Sequence, residues 1–453
     1  MNINEILEMN VLKVWSKFVL ASVIGVVLNT IYSLVDGIFV GQGVGEAGLA
    51  SVNIVWPAIT VIVGTGLMIG MGASNKISIY LGKGDQESAE RYLATSIKFI
   101  ITIGGLIMVL AFTFREKIIV LLGATPDTID YVREYFTIMY MMTIPYLFST
   151  ALNPIVRADG RPNLSMMMIG IGAIANIILD YIFVIKLGLE VKGAAMATSA
   201  SIFISMTVSL FYFIKGNSRV KFRKEYFKLD RTIIDDIIKI GFVSLIIQLS
   251  YGLILFVQNI SIYEYGTTVD VAIYTVAAYV ISFISNTFMG VAQGLQPIIG
   301  YHHGAGKISR INQLMKITFG VCTVGGIVFY IGIIIFGKEI INVFGIQSQN
   351  IDLAYKMLLI YCIASPIIGI VFTMGGYYQV MGKNIHANIL SISRGFIFQF
   401  LLTIILPPVI GIWGIFLSLP ISEFITLGIL GVLVIRDKQV DTKESTELLK
   451  EAY

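Results

Sequence analysis

The chain has 453 residues, of which 56% are hydrophobic and only 13% are charged, and its mean hydropathy is +0.83. Soluble domains carry about twice that charged fraction, so the composition excludes an ordinary water-soluble protein and indicates one whose main solvent is lipid. The small net charge of +4 comes from basic residues beside apolar runs, without an aromatic and basic recognition surface, and we expect no nucleic-acid partner.

Twelve apolar runs follow one another along the chain. A helix crosses the hydrocarbon core with about 20 apolar residues, and no cleavage signal follows the first run, so we expect no removable signal peptide. The sequence predicts an all-α integral membrane protein with twelve transmembrane helices. Predicted spans 1 to 12 cover residues 17–40, 52–80, 95–113, 136–156, 164–186, 193–214, 239–263, 271–300, 311–336, 352–380, 386–406 and 412–435.

Most Lys and Arg residues fall at the termini and in the even-numbered connections between spans. The positive-inside rule then places both termini in the cytoplasm. The largest basic cluster lies in the sixth connection, residues 215–238, and we interpret it as an anchor against anionic lipid headgroups in preference to a regulatory docking site. The lipid bilayer is therefore the first predicted partner.

The two halves of the chain align with each other at a shift of 221 to 223 residues. Gly84 falls on Gly306, and Gly160 on Gly382. Each half holds six spans, so the copies are inserted in the same orientation, as parallel repeats. We predict an N-terminal lobe (1–214), a linker (215–238), a C-terminal lobe (239–435) and a cytoplasmic tail (436–453), with a substrate cleft between the lobes and alternating access by rocking.

Polar residues of three spans in the first half are predicted to converge. Asp36 follows Tyr32 by four residues and Asp180 follows Asn176 by four, so each pair shares a helix face. At 1.5 Å per residue, Asp36, Asp180 and Thr198 lie about 6 to 9 Å from the outer ends of spans 1, 5 and 6. Charged groups inside spans are costly and usually functional.

Two carboxylates with amide and hydroxyl oxygens nearby suggest two kinds of ligand. They can coordinate a small hard cation such as Na⁺, which gives a possible metal site at Asp36, Asn176, Asp180 and Thr198. Alternatively, two close carboxylates can share a proton. A structural hydrogen-bond network is the third reading. The cysteines and histidines show no ligand spacing.

In the second half, Arg394 and Glu423 lie at nearly equal predicted depths in spans 11 and 12, and Arg394 is the only basic residue that falls well within a span. We favour a salt bridge between these two residues, with Glu423 as a contact for cationic substrate as the alternative. Further polar residues of spans 7 and 8 either line the cleft or bond neighbouring helices. They are Gln258, Asn259, Gln293 and Gln296.

Three segments carry a family resemblance: residues 31–41 around Asp36, residues 176–180, and residues 191–198. With the segment 157–161, they resemble the multidrug and toxin extrusion (MATE) transporters, within them the MepA-like and DinF-like bacterial branch, over essentially the whole chain. The resemblance implies that Asp36, Asn176, Asp180 and Thr198 form a cation or proton site. It adds Asn153 to this set.

The resemblance implies export of small amphipathic, mainly cationic compounds by antiport with H⁺ or Na⁺, a bacterial cytoplasmic membrane location, a monomer, and no cofactor beyond the coupling ion. Two departures affect the mechanism. Related chains often carry a proline near the start of spans 1 and 7, where this chain has Ala21 and Val243. Bending of span 1 at a proline is therefore not expected here. The second departure is in span 7, where the acidic residue of another MATE branch is missing and Gln258 and Asn259 stand in that region.

Two other functions compete with drug export. A flippase of lipid-linked oligosaccharide or glycolipid from the same superfamily would favour a basic cleft, whereas Asp36, Asp180 and Glu423 oppose the deep Arg394. An intramembrane enzyme is disfavoured because the protease and hydrolase motifs are missing from the sequence. The charge balance favours cationic or neutral cargo.

Overall fold

The computed structural model describes residues 3–216, 218–344 and 346–451, without the side chains of 46, 259, 268 and 438–451. The predicted cavity residue Asn259 therefore has its side chain outside the described part. These residues form helices and no β-strand, and eleven of the helical segments are long and apolar enough to cross a membrane. Helices α1 to α18 cover Ile3–Glu8, Val11–Val44, Glu46–Lys83, Gln86–Thr113, Arg115–Leu121, Ile129–Met141, Thr143–Ala158, Pro162–Asp180, Glu190–Lys215, Arg231–Tyr265, Thr268–Gly304, Ile308–Val343, Ile351–Cys362, Ser365–Val380, Asn384–Ser391, Phe400–Ile405, Pro407–Ile410 and Trp413–Glu451.

The twelfth crossing is predicted span 4, which consists of two shorter helices. Helix α6 ends at Met141 and α7 begins at Thr143, just before Pro145. Proline has no N–H to donate and its ring clashes with the preceding turn, so the helix breaks here. Span 10 is interrupted in the same way between α13 and α14, just before Pro366. The all-α, twelve-span fold class is confirmed.

Spans 5 and 11 each contain a π-helical turn. Tyr181–Lys186 is π-helical and directly follows Asp180 at the end of α8. Ile392–Gln399, between α15 and α16, is π-helical and includes Arg394. Such turns are rare and frequently occur at functional sites. Asp180 and Arg394, both singled out from the sequence, therefore lie at irregular points of their spans.

The duplication is visible in the backbone conformation. Gly84 and Gly306 have φ of 78° and 69°, and Gly160 and Gly382 have φ of 82° and 75°. These left-handed conformations favour glycine because it has no Cβ. The same loop geometry therefore recurs in both halves at the predicted shift of 222 residues.

Contacts divide the chain into two compact units. In the first, α2 packs on α8, α3 on α7, and α8 on α9; in the second, α18 packs on α13 and on the π-helical turn of span 11. The predicted lobes, residues 1–214 and 239–435, follow the sequence repeat and remain a prediction. The first unit comprises residues 1–253, 286–318 and 379–384, and the second comprises 254–285, 319–378 and 385–453.

The linker between α9 and α10 is held by a buried carboxylate. Asp159 accepts hydrogen bonds from the hydroxyl of Tyr212 and from the backbone N–H groups of Arg219 and Val220. Burial raises the pKa of the Asp159 carboxyl, and these hydrogen bonds act in the opposite direction. The start of the linker is thereby fixed to the loop that follows α7.

Gly70 gives a test of the packing of α3 against α7. A Cβ at this position would lie 2.5 Å from the carbonyl oxygen of Ala151, so Gly70→Ala must push the two helices apart. Overpacking of this kind costs about 1–3 kcal/mol. We expect the purified variant to unfold at a lower temperature than the wild type in a thermal melt.

Gly105→Ala is the matched control for this experiment. Gly105 also lies within a membrane-spanning helix, α4, but a Cβ there would meet nothing within 4 Å. Its melting temperature should equal or exceed that of the wild type, because alanine stabilises a helix relative to glycine. Equal melting temperatures for the two variants would contradict the close approach of α3 and α7.

Candidate functional site

Five of the predicted coupling residues come from three adjacent helices. Tyr32 and Asp36 lie one turn apart on α2, Asn176 and Asp180 lie one turn apart on α8, and Thr198 lies on α9. Helix α8 packs against both α2 and α9. The predicted faces of the three helices therefore meet.

Small residues allow this close approach. A Cβ at Gly25 of α2 would lie 3.1 Å from Ile169 of α8, and one at Gly172 of α8 would lie 2.4 Å from the hydroxyl oxygen of Ser205 on α9. Small side chains at helix contacts are typical of membrane proteins, where backbones must approach to gain van der Waals contact. The helices that hold the polar cluster are thus packed at close range.

The polar groups of the cluster contact one another. Asn176 and Asp180 are fully buried, and Asn176 Nδ2 donates to Thr198 Oγ1 over 3.3 Å. The carboxyl groups of Asp36 and Asp180 lie within hydrogen-bonding range of each other. Both carboxylates act electrostatically on the hydroxyl of Tyr32. The structure therefore brings together the five residues that the sequence placed at matched depths.

This cluster contains more acceptors than donors. Asp36 Oδ1, Asn176 Oδ1 and both carboxyl oxygens of Asp180 are buried and accept no hydrogen bond from a protein group. A buried acceptor left without a donor costs about 1–3 kcal/mol, and a charged one costs more. A proton or a small cation shared between these oxygens would remove that cost.

The described residues contain no group of three His, Cys, Asp or Glu side chains placed to hold a metal ion. A Na⁺ ion at the cluster would therefore need the amide oxygen of Asn176 and the hydroxyl of Thr198 beside the two carboxylates. Oxygen ligands of these kinds suit a hard cation. These four oxygen-bearing side chains are therefore suitable ligands for Na⁺, and the two carboxylates are equally suited to bind a proton.

Two tyrosines close to this cluster, the buried Tyr135 and the half-buried Tyr146, were missed from the sequence. The hydroxyl of Tyr135 on α6 interacts electrostatically with Asp36 and Asp180, and that of Tyr146 on α7 interacts with Tyr32 and Asp36. Tyrosine is common in this chain, so neither residue stood out. Their positions on either side of the break in span 4 could have been the signal.

Asn153 lies in a different cluster, around the buried guanidinium of Arg157. Arg157 donates to Asn153 Oδ1 over 3.2 Å, to Ser22 Oγ over 3.1 Å and to Gln293 Oε1 over 3.0 Å. The amide of Asn153 also donates to the backbone oxygen of Ser165 over 2.9 Å. The structure thus pairs Asn153 and Gln293 with an arginine and not with the acidic cluster.

A second buried basic residue, Arg157, was missed from the sequence. Arg157 is only 4% exposed. Predicted span 4 ended at residue 156, whereas α7 continues to Ala158. The two additional residues include Arg157, whose guanidinium is packed inside the helix bundle.

The other predicted cavity glutamines bond neighbouring helices. Gln258 accepts from the hydroxyl of Tyr274 and donates to Tyr361 over 3.4 Å. Gln296 donates to Gln379 Oε1 over 3.1 Å. These contacts fit the reading in which the amides tie helices together.

Arg394 and Glu423 form an ion pair between spans 11 and 12. Glu423 is fully buried, the guanidinium of Arg394 stacks on Phe372 with 4.0 Å to the ring centroid, and Ser422 donates to the backbone oxygen of Arg394 over 3.1 Å. The favoured salt bridge is therefore present. One carboxylate oxygen of Glu423, Oε2, is buried and accepts no hydrogen bond from a protein group.

A double-variant experiment measures what this ion pair contributes. Arg394→Leu leaves the Glu423 carboxylate buried without its cation, and breaking a buried pair in this way costs about 3–5 kcal/mol. Replacing both residues by leucine removes both charges and should recover most of that loss. The measurement is thermal unfolding of the purified variants. A double variant no more stable than Arg394→Leu would contradict a pair held together by charge.

Comparison with known proteins places the chain in a family. The sequence model of the MatE family matches residues 21–182 and 242–405, and these two matches start 221 residues apart and end 223 apart, as the predicted repeat requires. The multidrug export protein MepA of Staphylococcus haemolyticus (strain JCSC1435) is 27% identical over 92% of this chain and 91% of that protein. MepA of Staphylococcus aureus (strain MRSA252) is 26% identical over 96% and 97%.

Solved structures share the fold over almost the whole chain. An outward-facing multidrug resistance MATE family transporter of the MOP superfamily superposes with a TM-score of 0.89 at 23% identity, covering 97% of this chain and 98% of that one. A MOP superfamily transporter from Pyrococcus furiosus Vc1 (DSM3638), described as having a binding pocket of reverse polarity, gives a TM-score of 0.88 at 23% identity over 96% and 97%. The twelve spans, the duplicated sequence match and these relatives show that the chain belongs to the MatE family, the multidrug and toxin extrusion transporters.

Proposed function

We propose that this protein is a secondary active multidrug efflux transporter that exchanges amphipathic, mainly cationic compounds for H⁺ or Na⁺ by alternating access. It acts as a monomer in the bacterial cytoplasmic membrane, with both termini in the cytoplasm. The relatives named multidrug export proteins support the class of cargo.

The observation that carries the proposal is the set of buried acceptor oxygens at Asp36, Asn176 and Asp180. Two carboxylates at close range resist full ionisation, so the cluster binds a proton or a cation more tightly than an isolated carboxylate does. Binding and release change the charge of this part of the first half. A rocking equilibrium between two states responds to a ligand that binds one state better than the other.

The charges of the described residues also bear on the cargo. The deep arginines have partners, since Arg394 is paired with Glu423 and Arg157 donates to three neutral oxygens. The carboxylates of Asp36 and Asp180 have no such cation. A cationic compound that reached Glu423 could bind the oxygen Oε2 of that carboxylate. This charge balance favours cationic or neutral cargo over the anionic glycolipid of a flippase.

The proposal predicts that charge removal at the acidic cluster abolishes coupled export. Asp180→Asn and Asp36→Asn each keep the shape of the side chain and remove the titratable oxygen. We expect each variant, reconstituted in proteoliposomes, to lose at least about tenfold in gradient-driven ethidium transport, because one charge-assisted interaction accounts for a factor of this size. The imposed gradients are Na⁺ at constant pH and H⁺ at constant Na⁺.

Asp270→Asn is the matched control. Asp270 is also a buried aspartate, but it caps the start of α11 by accepting from the backbone N–H and the hydroxyl of Thr267. Its transport should equal that of the wild type. Normal transport by Asp36→Asn or Asp180→Asn would refute the coupling role. A wild type that moves ethidium under neither gradient, but moves a labelled lipid-linked sugar, would replace drug export with the flippase function.

A binding measurement distinguishes the two coupling ions. If Na⁺ binds the cluster, NaCl raises the melting temperature of the wild type more than an equal concentration of choline chloride does, because a ligand that binds only the folded state stabilises it. Asp180→Asn should lose this difference. Equal effects of the two salts, together with transport driven by the H⁺ gradient, would assign the proton as the coupling ion.

A further inference from the structure

Residues 3–15 make contacts with a part of the chain about 300 positions away. Helix α1 is short, yet Ile6 is fully buried and Leu7 is only 8% exposed, so this N-terminal segment is packed into the protein. The residues it contacts by hydrogen bonds belong to the beginning of α12 and the turn before it. By the predicted topology, both parts lie on the cytoplasmic side.

Two basic side chains bind the end of α1. Lys307 Nζ donates to the backbone oxygen of Leu7 over 3.2 Å, and Arg310 donates to the same oxygen over 2.6 Å. Arg310 also donates to the backbone oxygen of Met9. The last carbonyl groups of a helix have no partner within it and carry partial negative charge that favours cations. The guanidinium of Arg310 thus joins two orphan carbonyls of the N-terminal segment.

A second, independent contact lies one turn into α2. The indole Nε1 of Trp15 donates to Thr318 Oγ1 of α12 over 2.8 Å, and both side chains are buried. Tryptophan has only this one donor, and it usually finds a partner when buried. The start of α2 is therefore attached to α12 by a directional bond in addition to apolar packing.

The same end of α2 also approaches the backbone of α11 closely. A Cβ at Gly294 would lie 2.7 Å from the Cα of Val19, and one at Gly290 would lie 2.9 Å from the Cα of Val23. Helix α2 begins in the first half of the sequence, whereas α11 and α12 belong to the second. Any motion that separates the two halves on the cytoplasmic side must break these contacts.

We propose that residues 3–15 form a clasp that holds the cytoplasmic end of α2 on the start of α12, and that release of this clasp controls how often that end opens. The inference relies on the alternating access of the proposed function. Helix α2 is continuous from Val11 to Val44 and carries Asp36, so the clasp holds one end of the helix whose other end bears the coupling carboxylate. Hydrogen bonds to cations suit a reversible clasp, because water replaces them when it opens.

The test measures the distance between the two sides of the clasp region. Spin labels are attached at Lys17→Cys on α2 and Ser309→Cys on α12, both exposed positions, in a chain whose buried native residues Cys322 and Cys362 are alanine. Pulsed electron resonance of the full-length protein in nanodiscs then gives the populations of the short and long distances. Arg310→Gln should raise the ratio of long to short about tenfold, the effect of losing a hydrogen bond to a charged donor.

Three further variants keep the test specific. Trp15→Phe removes the indole donor but keeps an aromatic ring at this position, and should raise the same ratio by a smaller factor. Arg310→Lys keeps a cation near the carbonyls and should restore much of the wild-type distribution. Lys316→Gln removes a charge from an exposed position on the same helix and should leave the distribution unchanged.

The proposal is overturned if Arg310→Gln and Trp15→Phe give the same distance distribution as Lys316→Gln. It is also overturned if Arg310→Lys shifts the populations as far as Arg310→Gln does, since the cation would then be irrelevant. These distance measurements do not depend on transport activity. A failure of the proposed function would instead appear as missing gradient-driven transport in the wild type.

Discussion

The constraint on which this structure depends is the absence of water in the hydrocarbon core of the bilayer. Every backbone N–H and C=O inside the membrane must find its partner within the protein, and helices meet this requirement over most of the chain. The requirement also applies to side chains. Arg157 and the cavity glutamines make hydrogen bonds to neutral partners, and Arg394 is paired with Glu423. At Asp36, Asn176 and Asp180, several buried acceptor oxygens lie together without a protein donor.

The two halves share a backbone design but differ in charge. Both have a break before a proline in the fourth span, a π-helical turn in the fifth, and positive-φ glycines at matched positions. In the first half, Asp180 beside the π-helical turn lies close to a second carboxylate, Asp36 of α2, whereas in the second half Arg394 of the π-helical turn is paired with Glu423. Duplication therefore supplied the scaffold, and later substitution gave the halves different electrostatic properties. In the proposed mechanism the first half binds the coupling ion, and in the second half the opposite charges of the ion pair cancel.

Much of this was predictable because charges in apolar runs are conspicuous. Asp36 and Asp180 were identified by rarity and by polar neighbours four residues earlier, and the repeat was legible from glycines whose conformations no other residue adopts easily. Tyr135 and Tyr146 were not, because a tyrosine in a membrane span has many uses. Arg157 was missed because a helix end is the least certain feature of a sequence pattern, and the predicted span ended one residue before it. The contacts of α1 join residues about 300 positions apart, and no local pattern encodes them.

The ion pair between Arg394 and Glu423 has an electrical consequence. Because its charges cancel, movement of the second half through the membrane field transfers almost no net charge, and the voltage dependence of the proposed cycle is set by the acidic cluster and its cargo. Exchange of one monovalent cationic drug for one proton or sodium ion is then electroneutral. Export of an uncharged drug against the same ion carries one charge, equivalent to about 2.3 kcal/mol per 100 mV. The membrane potential would therefore drive the export of neutral compounds while leaving that of monovalent cations nearly unaffected.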